Sequence, residues 1–416
     1  MNRKYLIVRE AIDWLEVGES RQQITEKELG SLQKYLSNSL NINNILYIKQ
    51  DKIKIINYTG IIILNNMILE ILPKLSLTNE IKKDREILLN MLKVCKKIPI
   101  KIQENFNGDI SSKISTMNFL DYIGNIYCEK LLFQLNRGIY KEYMRDEESG
   151  NFLRGKLDLK KQIRHKVNNI EKIISEVENL SENNDLNRIL KKAVEILEKK
   201  TVTRGLYDKY KKILRIFENV TEKNAIEKIL KNFSFNRHNE RYKELFNIAK
   251  YIIQNFSPNI SCGAENSFSL LFSMNKLFEE YVGEIVRRNT KDSMNVSIQE
   301  RNENFLKNLN QKKRNISLNP DIVLYEKDVA KLIIDTKWKI LNDKSSSFWK
   351  EDIYQIYAYI NGYSNSERGI LLYPKNVECF LEEIWKTENQ KRIEVRMISL
   401  ESLDETIEDL KRINII

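Results

Sequence analysis

The sequence predicts a chain of the mixed, α+β kind. A β-rich N-terminal domain is expected over 1–110, a helical middle region over 111–260 and a mixed α/β domain over 261–416. Three observations predict this. Short apolar runs broken by polar turns fill residues 44–75. A stretch rich in Lys, Glu, Leu and Ile, without proline, fills 166–257. After Pro258, helical and strand patterns follow one another. With 13 glycines and 5 prolines in 416 residues, boundaries must come from these changes of period and not from flexible linkers.

In the first region, Ile- and Tyr-rich runs are interrupted by Asp51, Asn57-Tyr58, Gly60 and Asn65-Asn66, which reads as strands and hairpins closed by Pro73. From Ile81 the period becomes helical, with Leu88, Leu89, Met91, Leu92 and Cys95 on one face. Residues 116–143 read as one long amphipathic helix or two. Residues 166–257 read as several packed helices, with Asn183 to Asp185 as a cap. A helix is then expected from Phe268 to Arg288 and a strand from Val296 to Gln299. Two short β-runs, Ile322–Leu324 and Leu332–Trp338, flank the turn Glu326-Lys327-Asp328. A helix from Ser347 to Gly362 and strands at Gly369–Tyr373 and Ile393–Ile398 complete the domain.

Lys plus Arg number 69 and Asp plus Glu 58, a net charge of +11 that suits an anionic partner without proving one. No run approaches the roughly 18 apolar residues of a membrane span, and the N-terminus has no signal-peptide core, so a cytoplasmic protein without a membrane partner is expected. Cys95, Cys128, Cys262 and Cys379 are too scattered for a disulfide frame or zinc knuckle. His165 and His238 are the only histidines, which disfavours zinc hydrolases and Ser-His-Asp triads. Any metal is then a hard ion held by carboxylates.

Gly150 to Lys156 has the spacing of a phosphate-binding loop. Leu157 stands where Ser or Thr should hold magnesium, and the preceding segment is not an apolar strand, so a two-glycine turn is expected there. A stronger constellation is Pro320-Asp321 followed by Asp335-Thr336-Lys337. Asp-x-Lys recurs at 158–160 and 409–411, both in helical contexts. The copy at 335 lies in a β-run, and Pro320-Asp321 is the chain's single Pro-Asp. On a strand Asp335 and Lys337 share a face and Thr336 points away. A hairpin brings Asp321 near Asp335, and two adjacent carboxylates repel unless a cation or proton lies between them. Mg2+ fits, because it takes few protein oxygens and keeps waters and phosphate oxygens. The expected metal ligands are Asp321, Asp335 and the Thr336 carbonyl, with Lys337 acting on water and phosphate. The alternative is a surface hairpin in which Asp321 caps a turn and Lys337 pairs with a nearby acid. On the next helix Asp352, Gln355 and Tyr359 share a stripe continued by Tyr363. Upstream, Glu279 or Glu280 is placed to assist, Glu279 preferred.

Together these residues resemble the restriction-endonuclease-like PD-(D/E)xK superfamily and, more narrowly, the McrC family of McrBC-type restriction systems. The cues are Met274 to Glu279, Asn319-Pro320-Asp321-Ile322-Val323-Leu324, Asp335-Thr336-Lys337-Trp338-Lys339, Asp352 to Tyr359 and Leu372-Tyr373-Pro374. Tyr58-Thr59-Gly60-Ile61, Leu69 to Leu75, Leu153-Arg154-Gly155-Lys156-Leu157 and Asn187 to Lys191 are similar to the family's earlier segments. The Lys/Glu-rich stretches 166–182 and 205–240 match no part of that pattern. The resemblance implies a C-terminal nuclease domain with a central mixed sheet, cutting double-stranded DNA with Mg2+ at Asp321, Asp335 and Lys337, supported by Glu279, Gln355 and Tyr359. It also implies an N-terminal domain that binds a McrB-like AAA+ GTPase hexamer and stimulates it. Cutting both strands suggests self-association of nuclease domains on DNA. The rival expectations are a non-catalytic adaptor that activates a ring GTPase and holds DNA, and a nuclease of RNA or single strands.

Overall fold

The computed structural model describes residues 4–40, 45–64, 67–74, 80–97, 117–157, 159, 161–163, 172–201, 203–222, 226–256, 268–291, 293–300, 302–306, 316–341, 346–363, 365–376 and 382–416. The chain divides into two compact units, Met1–Phe119 with Pro258–Ile416, and Leu120–Ser257. The stretches expected as separate N- and C-terminal domains therefore share a unit. The boundary expected at Ser257-Pro258, the thiols Cys262 and Cys379, and His165 lie outside the described residues.

In the larger unit, strands Tyr58–Leu64 and Met67–Leu72 form a hairpin, and Lys4–Arg9 adds alongside Met67–Leu72 in parallel. The far edge is Phe268–Ser273, antiparallel to Tyr58–Leu64. This corrects the helix expected from Phe268: the first six residues are strand, and the helix runs Met274–Asn289. The apolar run 268–272 suits either period, and a waiting strand edge decides it. Gly60 lets the ladder close. Its φ is +133°, and a Cβ there would lie 1.9 Å from the Leu270 carbonyl oxygen. Helix Glu26–Leu40, absent from the expectations, starts at a reciprocal Thr25–Glu28 capping box. It packs on the hairpin core through buried Leu32 and Leu36. Helix Ile81–Val94 begins where the periodicity starts.

The second sheet of this unit has the order Met294–Ile298, Ile322–Glu326, Val329–Thr336, Arg368–Pro374, Arg392–Ile398, Glu383–Lys386 among the described residues. The first three strands are antiparallel, the next two join in parallel, and the last is antiparallel, so the sheet is mixed. Lys327 and Asp328 both have positive φ, 48° and 65°, as a tight two-residue hairpin turn requires. Helix Ser346–Gly362 lies on the sheet. Gly369 admits it, since a Cβ would meet Ile360 and Ile356 at 2.6 and 2.8 Å. Strand Glu383–Lys386 was not expected as an element, and the helical context expected at 409–411 is the closing helix Leu403–Arg412, capped by Ser402.

In the smaller unit, helix Phe119–Leu135 ends well short of residue 143, and Glu142–Gly150 is a strand. It pairs along its length with Ile173–Ser181, which corrects the all-helical reading of 166–257. Helices Asp185–Lys200, Arg204–Ile216, Ile226–Asn232 and Lys243–Phe256 follow, the first capped by Asn184, as expected. Among the described residues no helix is long and apolar enough to cross a membrane.

Candidate active site

Strands Ile322–Glu326 and Val329–Thr336 pair with Ile322 opposite Ile334, which sets Asp321 and Asp335 side by side at the open end of the hairpin. The run Leu332 to Ile334 is buried on both faces, as an interior strand demands, and it carries Asp335 to 1% exposure. Asp335 Oδ2 is a buried oxygen with no well-aligned hydrogen-bond donor. Its compensation is electrostatic: the Lys337 ammonium lies 2.6 Å away. Asp321 is held differently. The Thr336 amide and hydroxyl both donate to Asp321 Oδ2 at 2.7 Å. Thr336 was expected to point away from the acids. It is the last residue of its strand, where strict alternation lapses, and its hydroxyl turns to Asp321.

A polar chain closes the site from the helix side. Lys337 Nζ donates to Gln355 Oε1 at 2.8 Å, Gln355 Nε2 donates to the Tyr359 hydroxyl at 2.7 Å, and that hydroxyl donates to the Asn319 carbonyl at 3.1 Å. Gln355 and Tyr359 thus connect the Asp335 strand to the residues just before Asp321. Helical spacing of four aligns them, and Gly369 sets the helix close enough to reach. Tyr363, one turn further, donates to Glu300, as does Tyr325.

The acids disturb one another. Burial, then the charge of Asp321, pushes the Asp335 carboxyl up to about 7. Burial raises Asp321 too, against the Thr336 hydrogen bonds and the Lys337 charge. Burial and then Asp321 raise Glu279, whose partner is the side chain of Gln299. Glu280 pairs instead with Lys97 at 2.7 Å. Between the two helical glutamates, Glu279 is the one electrostatically tied to Asp321. For Lys337, burial works against the charge, but Asp335 outweighs it and the amine is held above its ordinary value. At neutral pH Lys337 is an ammonium.

Among the described residues no group of three or more His, Cys, Asp or Glu is arranged to hold a metal. The donor set is therefore the Asp321–Asp335 pair, sufficient for an ion that keeps most of its waters. The underpaired Oδ2 of Asp335 and the mutual repulsion of two hard oxygen donors fit such an ion.

Sequence reasoning missed several supporting groups. Lys339 gives its ammonium to both oxygens of Asp352 at 2.8 Å, and the Tyr373 hydroxyl donates to Asp352 at 2.6 Å. Lys339 stands two residues after Lys337, a same-face spacing that was available as a signal. Trp338 is buried against Phe278, ring centroids 5.6 Å apart, and its indole N–H donates to Glu10. Glu10 also accepts from the Asn57 amide and lies 3.8 Å from the Lys74 ammonium. No local pattern ties Glu10 to Trp338, so no sequence signal could have found that contact.

The family model for McrBC 5-methylcytosine restriction system components matches residues 53–374. The fold resembles that in a half-complex of a tetradecameric assembly of Thermococcus gammatolerans McrB AAA+ hexamers with bound McrC. The TM-score is 0.76 at 19% identity, covering 99% of this chain and 100% of that one. A cryo-EM structure of the Thermococcus gammatolerans McrBC complex matches with a TM-score of 0.51 at 22% identity, over 69% of this chain and 88% of that one. At these identities the likeness is one of fold. No curated protein matches the chain.

Proposed function

The chain belongs to the McrBC family of restriction-system components, and from that premise we propose that it is the McrC-type subunit, a Mg2+-dependent endonuclease of the PD-(D/E)xK type acting on double-stranded DNA. The observation that carries the proposal is the convergence of Asp321, Asp335 and Lys337, with a buried carboxylate oxygen of Asp335 short of a donor. In this reading Asp321 and Asp335 hold the ion, and the Thr336 carbonyl is a candidate third ligand. The ion supplies a Lewis acid toward phosphate oxygens and acidifies bound water. The chain's own residues do the rest. Thr336 fixes the rotamer of Asp321. Gln355 and Tyr359 fix Lys337 in place. The Lys337 ammonium, held charged by Asp335, orients the attacking water by hydrogen bonding and stabilises the negative charge that grows on the phosphate. Glu279, with its raised carboxyl, borders the same site.

The proposed partner is a McrB-like AAA+ GTPase hexamer. The N-terminal region up to about residue 110 is the proposed contact that stimulates GTP hydrolysis, in the cytoplasm, and nuclease domains self-associate on DNA to cut both strands. The test is plasmid cleavage by the complex with GTP and Mg2+, with GTPase rate measured in parallel. Lys337→Ala is expected to abolish cleavage and leave GTPase stimulation intact. A wild-type complex that stimulates GTPase but never cuts would establish the adaptor reading instead.

A further inference from the structure

We propose that the hairpin carrying Lys386 and Arg392 forms a second phosphate site, remote from the cutting groups, at which this protein grips the backbone of double-stranded DNA. The proposal rests on the nuclease reading above. Strands Glu383–Lys386 and Arg392–Ile398 border a concave site of about 650 Å³ together with the loop that precedes Arg368. Its cations are accounted for unevenly. Arg368 is engaged by both oxygens of Glu394 at 2.6 and 2.8 Å, and by the carbonyls of Ile413 and Asn414. The Lys391 ammonium reaches the Ile360 carbonyl at 2.5 Å, near the end of its helix. Glu367, the acid on the rim, is taken by Lys331 at 2.6 Å. That leaves Lys386 and Arg392, which have no acidic partner among the described residues.

These two cations sit directly opposite each other across an antiparallel pair. Like charges in that position are destabilising. The hairpin nevertheless holds them there firmly. The Thr387 amide donates to the Lys391 carbonyl at 2.9 Å, and the Lys391 amide returns to the Thr387 hydroxyl at 3.1 Å. The Gln390 amide closes the turn on the Thr387 carbonyl at 3.0 Å. Gln390 accepts a left-handed φ of 62° to make that turn. A pair of exposed, uncompensated cations on a fixed backbone at a concave site, rimmed by the Asn389 amide, has the chemistry of a phosphate receptor. Register places it within reach of the same DNA. Arg368 pairs with Leu332 and Leu371 with Asp335, three strand steps apart. That is about 10 Å along the strands, and the Arg392 strand lies two strands, about 10 Å, across the sheet, so the two places are about 14 Å apart, the rise of about four nucleotides along one strand of a duplex.

The experiment uses the full chain and a short fluorescein-labelled duplex in metal-free buffer, where nothing is cut, over a salt series. With Lys386→Ala and Arg392→Ala combined, affinity is expected to fall about tenfold or more at moderate salt. The slope of log affinity against log salt should flatten by about 1.8, two phosphate contacts' worth. The charge-preserving exchange Lys386→Arg with Arg392→Lys should keep the slope. The single exposed change Lys386→Glu, checked by thermal melting, guards against a folding artefact and should weaken binding further than Lys386→Ala. An unchanged slope in the double variant overturns the proposal. So does calorimetry in which inorganic phosphate binds the wild type and not the double variant while DNA binding is untouched, since the site would then serve a free anion. Plasmid cleavage by the wild-type complex is scored separately. A flattened slope without any cleavage refutes the nuclease reading and leaves this site standing, whereas cleavage with an unchanged slope does the reverse.

Discussion

Glu70 and Asp335 are both buried acids of the larger unit, and they are finished differently. Under the N-terminal sheet, Glu70 is fully buried and its oxygens accept from Arg85 at 2.6 to 3.2 Å, from the Phe119 amide at 3.2 Å and from the Tyr5 hydroxyl. Each of its lone pairs has a use within the protein. At the candidate active site Asp335 is as deeply buried, yet one oxygen has no aligned donor and only the Lys337 ammonium 2.6 Å away to offset the repulsion of the nearest carboxylate. Burial of an acid is costly in both places. A satisfied acid braces the fold, whereas an acid left short marks a place where something else must supply the missing charge.

The comparison can be broken most directly by exchanging the consequences. Asp335→Asn is expected to lower plasmid cleavage by more than about 100-fold, without lowering metal-free thermal stability, because a neutral amide relieves the repulsion from Asp321. Arg85→Ala is expected to do the opposite, costing about 3–5 kcal/mol of stability in chemical denaturation by stranding Glu70. Equal loss of stability in both variants would erase the distinction.

A second measurement sharpens it with pH. Asp335 has a folded-state carboxyl raised to about 7, above the ordinary range. In the metal-free protein its contribution to stability is present at pH values below the ordinary carboxylate range and is lost as pH rises through about 7. Mg2+ needs the ionised form, so the stabilisation it confers should grow from pH 6 to pH 8. Below the midpoint the apparent binding free energy should weaken by about 1.4 kcal/mol per pH unit. Thermal melting with and without Mg2+ checks this, and a shift independent of pH, or kept by Asp335→Asn, would place the ion elsewhere.

The smallest expected effect concerns Glu10. Glu10→Gln retains an acceptor for the Trp338 indole but removes the counter-charge beside Lys74. Turnover is expected to fall by about tenfold with DNA affinity unchanged, because an amide oxygen holds the Trp338 indole less strongly than a carboxylate does and Trp338 adjoins Lys337. A change in affinity without a change in turnover would remove Glu10 from the site's support.

Much of the site could be read in the sequence because its residues are local. Asp321, Asp335 and Lys337 sit on one hairpin whose turn residues announce themselves, and Gln355 and Tyr359 follow helical spacing. What escaped is what depends on distant partners. Ile173–Ser181 is strand because Glu142–Gly150 lies alongside it, although its Glu-rich composition suggested helix. Phe268–Ser273 is strand for the same reason. Glu10 meets Trp338 across nearly the whole chain. Helix Glu26–Leu40 was legible in principle, since Thr25 and Glu28 spell its capping box.

The edge strand Phe268–Ser273 has a practical corollary for anyone dissecting the molecule. It completes a ladder built from the first seventy-odd residues and passes straight into the helix that bears Glu279. A fragment beginning near residue 261 would carry that strand with its ladder missing, its backbone groups unpaired and Phe268 and Leu270 uncovered. Such a segment invites pairing with other copies of itself. Expressed without its beginning, the C-terminal half is expected to precipitate, whereas co-expression with residues 1–119 should restore solubility.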